Sequence, residues 1–318
     1  MGNGEQAIVK PSIIAVVGAT GVGKSATAVE IALEVQGEII SADSQQVYRG
    51  MDVGTGKPGP EARARVRHHL IDRVGPDGEY NAAIFRQWAL DAEREIRGRG
   101  RKTILCGGTG LYIKAFLYGL FTGPAKSLEF RAALEEEIKE KGIGALYGRL
   151  KKADGEAAGS IHPHDRLRII RALEVLSQTG RKISEWQEEH GFKESPFEVL
   201  KIGLQRDREE LYSLIDRRCD AMMAGGLVDE VKGLLARGYS WNLKPMQSLG
   251  YRHVGLYLRG EMTFDGALDL MKRDTRRLAK RQLTWFRSDP EIGWFHPDRE
   301  CEAILESAKC FLSAPLNR

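Results

Sequence analysis

The 318-residue chain contains no apolar run approaching the ~18 residues of a membrane span. Its four cysteines, Cys106, Cys219, Cys301 and Cys310, are scattered without a Cys-x-x-Cys or Cys-x-x-His pair. No zinc module can be argued from them, and Cys106, inside the apolar run TILC, reads as a small buried hydrophobe. Internal repeats and low-complexity tracts are missing too, which excludes a solenoid or a linker-like chain. The opening MGNGEQAIVK lacks a basic stretch followed by an apolar one, and Gln6 stands where a myristoylation signal wants Ser or Thr. A cytoplasmic protein is expected. What is present is an ordinary globular composition, 42% apolar, 8% aromatic and 29% charged, in a chain long enough for one large domain or two modest ones. The net charge of +4 is too small to demand a polyanionic partner; its distribution says more.

SIIAVVG (12–18) is a β-branched run ending in glycine, followed by a helical pattern with Val29, Ile31, Ala32 and Val35. GEIISAD (37–43) reads as a second strand and HHLIDRV (68–74) as a third. AAIFRQWALDAEREIRGRG (82–100) is an amphipathic helix closed by Gly98 and Gly100, and KTILCGGTG (102–110) is a fourth strand opening onto glycines, with a helix from about Leu111. Strands alternating with helices predict an α/β fold with a parallel sheet covered on both faces. Ligands in such folds gather at the carboxyl ends of the strands, here residues 18–25, 43–46 and 107–110. From about Phe121 the texture turns helical, with SLEFRAALEEEIKEKG, HDRLRIIRALEVLSQTG and SEWQEEHG, until FEVLKIGL (197–204) restores a strand. This pattern predicts a core of residues 1–122 and 200–318 interrupted by an inserted helical subdomain, 123–199. The remainder reads as helical over 207–223, 227–237, about 247–259 and about 264–287, and the last twenty or so residues carry no signal.

Gly18-Ala19-Thr20-Gly21-Val22-Gly23-Lys24-Ser25 fits G-x-x-x-x-G-K-[ST] at every position, between a strand and a helix. The glycines let backbone N–H groups curl round an anion at the helix N-terminus, Lys24 adds a point charge, and Ser25 can ligate Mg²⁺. The loop alone does not separate a mono-, di- or triphosphate. A nucleotide hydrolase or kinase usually adds an apolar strand ending in a metal-positioning Asp. Asp43 in EIISAD and Asp72 in HLID are candidates, and neither decides the matter. CGGTGLY supplies backbone donors and Thr109, but no catalytic base.

Between positions 244 and 287 stand ten Lys/Arg against four Asp/Glu, a net +6 that exceeds the charge of the whole chain. At ~100° per residue, Leu268, Met271, Thr275, Leu278, Gln282 and Trp285 fall on one face of the last long helix. Lys272, Arg273, Arg276, Arg277, Lys280 and Arg281 fall on roughly the opposite one. A solvated helix face normally mixes signs, so a face this basic suits a phosphate backbone, with plain solubility as the alternative.

Together, GATGVGKS, ISADSQQVYRGMDVGTGKP, HHLID, GGTGLYIKAFLYGL, IHPHDRLRIIRALEV, GLVDEVKGLLARGY, SLGYRH and RRLAKRQLTWFR resemble the tRNA dimethylallyltransferases, also called tRNA isopentenyltransferases. The likeness runs in order from about Ile13 to about Phe295, and its most specific block is D-S-x-x-x-Y-x-G-M-D-x-G-T-x-K-P. The resemblance implies a P-loop NTPase-like core with a helical insertion and a helical C-terminal region. It implies Mg²⁺ as cofactor and dimethylallyl diphosphate and the tRNA anticodon stem-loop as partners, with a monomer sufficient. The implied reaction moves a dimethylallyl group to N6 of the adenosine just 3′ of the anticodon and releases diphosphate, so the loop cradles a prenyl diphosphate and ATP has no part.

For individual residues the resemblance implies that Asp43 takes the N6 proton, an N-cap or magnesium ligand being the other reading. Thr109 would border the channel where adenine meets the prenyl diphosphate, or cap a helix; Arg218 would reach the diphosphate, or be a surface helix arginine; Ser25 would hold the metal. Thr55 and Lys57 could add phosphate contacts, while Val47 and Tyr48 are prenyl-tail candidates that core packing also explains. Besides the basic helix face and Thr109, the RNA-contacting stretches implied are Asp43, Ser44, Gln45 and Gln46; Leu167, Arg168, Ile169, Ile170 and Arg171 in the insertion; and Gln247, Ser248, Leu249, Gly250, Tyr251 and Arg252. His162 and His164 read as a helix-entry turn, not a metal pair. Eukaryotic members often carry a zinc finger, so the bacterial type is expected. Two enzyme rivals stand beside this reading. An adenylate isopentenyltransferase would prenylate free AMP, ADP or ATP, with little use for the insertion or the basic helix; a P-loop kinase for a small metabolite would turn over ATP.

Overall fold

A computed structural model describes residues 10–120, 123–191 and 194–314. Six strands, β1 (Ser12–Gly18), β2 (Gly37–Ser41), β3 (His68–His69), β4 (Lys102–Gly107), β5 (Glu198–Leu204) and β6 (Gly293–Phe295), form one parallel sheet in the order β3-β2-β4-β1-β5-β6. The unbroken apolar run of β1 follows from its central place: Ile13, Ile14, Ala15, Val16 and Val17 are all buried, as a strand covered on both faces must be. The chain leaves β1 for β2 on one side of the sheet and leaves β4 for β5 on the other. That reversal puts a crevice at the adjoining carboxyl ends of β1 and β4, where the two glycine loops lie.

The described residues separate into two compact units, one within Met1–Leu117 and Pro196–Arg318, the other within Tyr118–Ser195. The change of texture expected from about Phe121 falls on residues 121–122, outside the described residues. The second unit has its own core, built on Leu134, Leu146, Leu150, Ile169, Leu173 and Val175. At its edge Glu174 is fully buried. Its carboxylate accepts bonds from Arg131 (2.7 Å to each oxygen), from Arg171 Nη1 at 2.7 Å and from the Ser127 N–H at 2.9 Å. Burial works against its charge, but the bonds from Arg131 and Arg171 outweigh burial and hold the carboxyl down at about 2.

The third strand is shorter than its sequence suggests. Pairing stops after His69 because Leu70 and Asp72 take left-handed φ values of 64° and 57°, turning Asp72 toward Lys57 and Arg63; only an isolated bridge, Tyr48 to Val74, continues the direction. Strand β6 and the helices Pro60–Arg65, Ile143–Ala153, Gly155–Ser160 and Cys301–Ser313 go beyond the elements read from the sequence. Ile143–Ala153 carries Gly144 and Gly148 inside it, which masks a helical signal. No described helix is long and apolar enough to cross a membrane.

Candidate active site

The phosphate loop closes on Gly23, which starts the helix Lys24–Glu34 at φ 116° with no side-chain cap. The first-turn N–H groups therefore remain for an anion. Gly18 sits at φ 140°, and a Cβ there would lie 2.7 Å from the Leu204 carbonyl, so the turn out of β1 accepts only glycine. Arg206 braces the loop from behind, donating from Nε to the Val22 carbonyl at 3.0 Å while Nη2 pairs with Asp298 at 2.7 Å. On the other side Gln282, from the helix Phe264–Arg287, accepts from the Thr20 N–H at 2.8 Å and donates to the Gly108 carbonyl at 2.9 Å. One amide thus holds both glycine loops in register.

A cavity of about 310 Å³ opens between these loops, lined among others by Lys24, Ser25, Asp43, Gln46, Thr55, Gly56, His68, Cys106, Gly108 and Arg218. Asp43 is fixed by a turn of its own making: its Oδ1 accepts from the backbone N–H groups of Gln45 (2.7 Å) and Gln46 (3.2 Å). Gln46 in turn accepts from the Ser41 hydroxyl at 2.9 Å and donates to the Gly56 carbonyl at 3.4 Å.

Lys24 donates to the Ala19 carbonyl at 2.7 Å. Burial pulls its pKa down to about 8; Cys106 and Asp43 oppose this, and Arg218 adds to it. Arg218 is likewise lowered by burial, with Asp43 the carboxylate that offsets it, and among the described residues its guanidinium makes no hydrogen bond or ion pair. Two desolvated cations therefore face one carboxylate. Such an imbalance is costly unless an anion enters. Burial pushes the Cys106 thiol up to about 11, so it stays neutral beside Lys24.

Other expected residues sit differently. Lys57 is not a phosphate contact: its ammonium is buried and bound at 2.6 Å each to the Tyr48 carbonyl, Asp52 and Asp72. That places Asp72 in an ion pair with Lys57, away from any metal role. Val47 and Tyr48 are core residues. Thr109 directly follows Gly108 of the cavity lining; its N–H donates to the Ala42 carbonyl at 3.4 Å and its carbonyl accepts from the Tyr112 and Ile113 N–H groups at 2.9 and 3.2 Å, at the start of the helix Gly110–Tyr118. The turn at His162 and His164 leads into the helix Arg166–Thr179, capped by Asp165. Among the described residues no group of three or more His, Cys, Asp or Glu could hold a metal. The exposed Ser25 hydroxyl, beside the anion-binding backbone, is an oxygen donor that fits a divalent metal ion held together with a bound anion.

Residues 46–289 match the family described as IPP transferase. The chain belongs to the IPP transferase family. It is 52% identical over 305 residues to tRNA dimethylallyltransferase 2 of Syntrophus aciditrophicus, covering 96% of this chain and 98% of that one. It is 49% identical over 308 residues to the tRNA dimethylallyltransferase of Geobacter sulfurreducens, covering 97% and 99%. Among solved structures it resembles the tRNA isopentenylpyrophosphate transferase of Bacillus halodurans (TM-score 0.72, 39% identity, 95% and 97% covered). It also resembles a eukaryotic dimethylallyltransferase acting on tRNA (TM-score 0.80, 26% identity, 97% and 81% covered).

The surfaces expected to touch RNA in this IPP transferase divide into free and committed groups. In the insertion, Leu167 and Arg168 are exposed, but Ile169 and Ile170 are buried in that unit's core and Arg171 is spent on Glu174 and the Pro124 carbonyl. Gln247 is exposed and Ser248 and Leu249 are half-buried, whereas Gly250 and Tyr251 are buried and Arg252 pairs with Asp274. On the long helix Lys272 and Arg276 bind Asp220 and Asp216, Arg273 and Arg277 are exposed but pair with Asp274 at 3.7 and 3.2 Å, and Lys280 and Arg281 are exposed with no ion pair among the described residues. The inward line is Ala267, Met271, Thr275, Ala279 and Phe286; Leu268, Leu278 and Gln282 are only half-buried, and Trp285 is exposed against Gly110. Periodicity places Gln282 on the face opposite the basic residues, and nothing in it reveals the two bonds that this side chain makes to distant loops.

Proposed function

We propose that this protein transfers a dimethylallyl group from dimethylallyl diphosphate to N6 of the adenosine just 3′ of the anticodon in tRNA. The observation that carries this reading is the cavity charge: Lys24 and Arg218, both desolvated, converge with the anion-binding helix start on a space that also holds Asp43. A diphosphate satisfies both cations and leaves the carboxylate for the acceptor.

As the N6 lone pair forms the bond to C1, the C1–O bond breaks and the diphosphate leaves with its electron pair. Lys24, Arg218 and the loop N–H groups stabilise the charge that grows on it. The aromatic amine is a weak nucleophile, and Asp43, fixed by the Gln45 and Gln46 N–H groups, orients it and accepts its proton. Mg²⁺, with Ser25 as a protein ligand, would neutralise further charge on the diphosphate. The target base must leave its stack to reach the cavity, and the exposed residues Leu167, Arg168, Gln247, Arg273, Arg277, Lys280 and Arg281 are the tRNA grip consistent with the fold.

The test supplies Mg²⁺ and labelled dimethylallyl diphosphate, with unmodified tRNA and AMP in parallel tubes and Asp43→Ala beside the wild type. Label entering tRNA alone, and lost in the variant, is the expected result. Label in AMP alone makes the protein an adenylate prenyltransferase, and no label in either sinks the reading.

A further inference from the structure

Glu230 lies outside the cavity and has no part in the chemistry above. Yet its carboxylate, half-buried on the helix Leu227–Ala236, collects an unusual set of donors. Oε2 accepts from the consecutive backbone N–H groups of Asp52 (2.7 Å) and Val53 (2.8 Å). Oε1 accepts from the Gly54 N–H at 3.1 Å and from the Tyr251 hydroxyl at 2.6 Å. Three successive amides converging on one carboxylate form an anion-binding concavity, and charge-assisted bonds of this kind are about twice as strong as neutral ones.

What this carboxylate holds is the loop against which Arg218 rests. Residues 51–57 fold back on themselves through Gly56 N–H to the Val53 carbonyl (3.0 Å), Lys57 N–H to the Asp52 carbonyl (3.2 Å) and the Thr55 hydroxyl to the Met51 carbonyl (2.6 Å). At the end of the loop Gly56, at φ 58°, is so close to the guanidinium that a Cβ there would lie 1.8 Å from Arg218 Nη2. Thr55 and Gly56 line the cavity on that side. Arg218 has no bonded partner among the described residues to fix its direction, so the wall that Gly56 provides does so.

We infer that Glu230 is a positioning residue for the diphosphate site: by clamping the Asp52, Val53 and Gly54 amides it holds the wall that aims Arg218 into the cavity. Tyr251 links the same clamp to the 247–252 segment, whose Gly54-facing ring is buried with it. Three sequence blocks without evident connection, MDVGTGKP, GLVDEVKGLLARGY and SLGYRH, are in this light one hydrogen-bonded unit serving one arginine. The inference rests on Arg218 being a diphosphate contact.

The test is a double-mutant cycle read as affinity for inorganic pyrophosphate with Mg²⁺, by calorimetry on the full chain, which does not depend on turnover. Glu230→Ala is expected to weaken binding about tenfold, and Glu230→Gln, which keeps the shape and loses the charge, by less. In an Arg218→Ala background the Glu230→Ala change should add less than twofold, because the residue acts through Arg218. Should Glu230→Ala fail to fold, Tyr251→Phe, which removes one donor and keeps the ring, takes its place with the same expected non-additivity at smaller size. Additive losses, or unchanged affinity in folded Glu230 variants, overturn the inference while leaving Arg218 in its role. Unchanged affinity in Arg218→Ala overturns the role of Arg218 and the inference with it.

Discussion

The charge on Lys24 should make diphosphate binding depend on pH in a window where few other groups titrate. Burial lowers this ammonium from its ordinary 10.5 to about 8. The shift corresponds to a bias of about 3 kcal/mol against the charged form. A bound diphosphate reverses it by placing anionic oxygens where the cavity has only Asp43. The sign then follows. The free protein holds the Lys24 proton below about 8 and loses it above, whereas the complex keeps it, so binding at high pH must take up a proton. At pH 8.5 about three-quarters of the free protein is deprotonated and uptake approaches that fraction; at pH 7 it is about a tenth. Apparent affinity should fall about 30-fold between pH 7 and 9.5, approaching tenfold per unit above 8. The ligand's own last proton, with a pKa of about 6, does not interfere.

Titration calorimetry with dimethylallyl diphosphate in two buffers of different ionisation heat measures both the affinity and the proton uptake. Lys24→Met should bind weakly at pH 7 and show no slope. Affinity that stays flat from pH 7 to 9.5, with no proton taken up at 8.5, refutes the argument that Lys24 is desolvated and faces the diphosphate.

Gln282→Leu keeps the volume but frees the Thr20 N–H and the Gly108 carbonyl, so kcat/KM for the diphosphate should drop about tenfold or more with KM for tRNA little changed; steady-state kinetics with each substrate varied decides it. Glu174→Ala leaves Arg131 and Arg171 without their buried partner and should destabilise the insertion by about 3–5 kcal/mol, read by hydrogen exchange over that unit. Because the Glu174 carboxyl sits at about 2 against an ordinary 4.5, its stabilisation is complete above pH 4.5 and is lost as pH falls from 4.5 toward 2; a melting series should show that loss in wild type and not in the variant. Removing Lys280 or Arg281, both exposed and without an ion pair among the described residues, should lower the salt dependence of tRNA binding by close to one counterion each, while Arg276→Ala, already paired with Asp216, should change it less.

These tests bear on residues of two kinds, and the sequence speaks plainly about only one. Lys24, Ser25 and Asp43 are legible because each belongs to a short stretch whose chemistry is local: a loop of glycines, a helix start, an Asp whose own following amides fix it. The sheet was legible for the same reason, since β1, β2 and β4 are apolar runs that must be buried on both faces. Glu230 and Gln282 are different. Apart from the Tyr251 hydroxyl on Glu230, their partners are backbone amides and carbonyls 174 to 262 residues away, and a backbone amide carries no sequence signature. Helical periodicity also misjudged the basic face, because it counts charges and not their partners: Lys272 and Arg276 look as free as Arg281 until the helix Arg208–Ala224 brings Asp220 and Asp216 against them. The resemblance likewise named whole stretches as RNA contacts, and within them Ile169, Ile170 and Tyr251 are buried, while their neighbours Arg168 and Arg252 pair with Asp165 and Asp274. A motif shared across a family therefore mixes groups that meet the substrate with groups that aim them. Only burial and bond partners separate the two: Arg218, desolvated and unbonded among the described residues, is the group proposed to meet the diphosphate, and Glu230, bound to three amides and the Tyr251 hydroxyl, the group proposed to aim it.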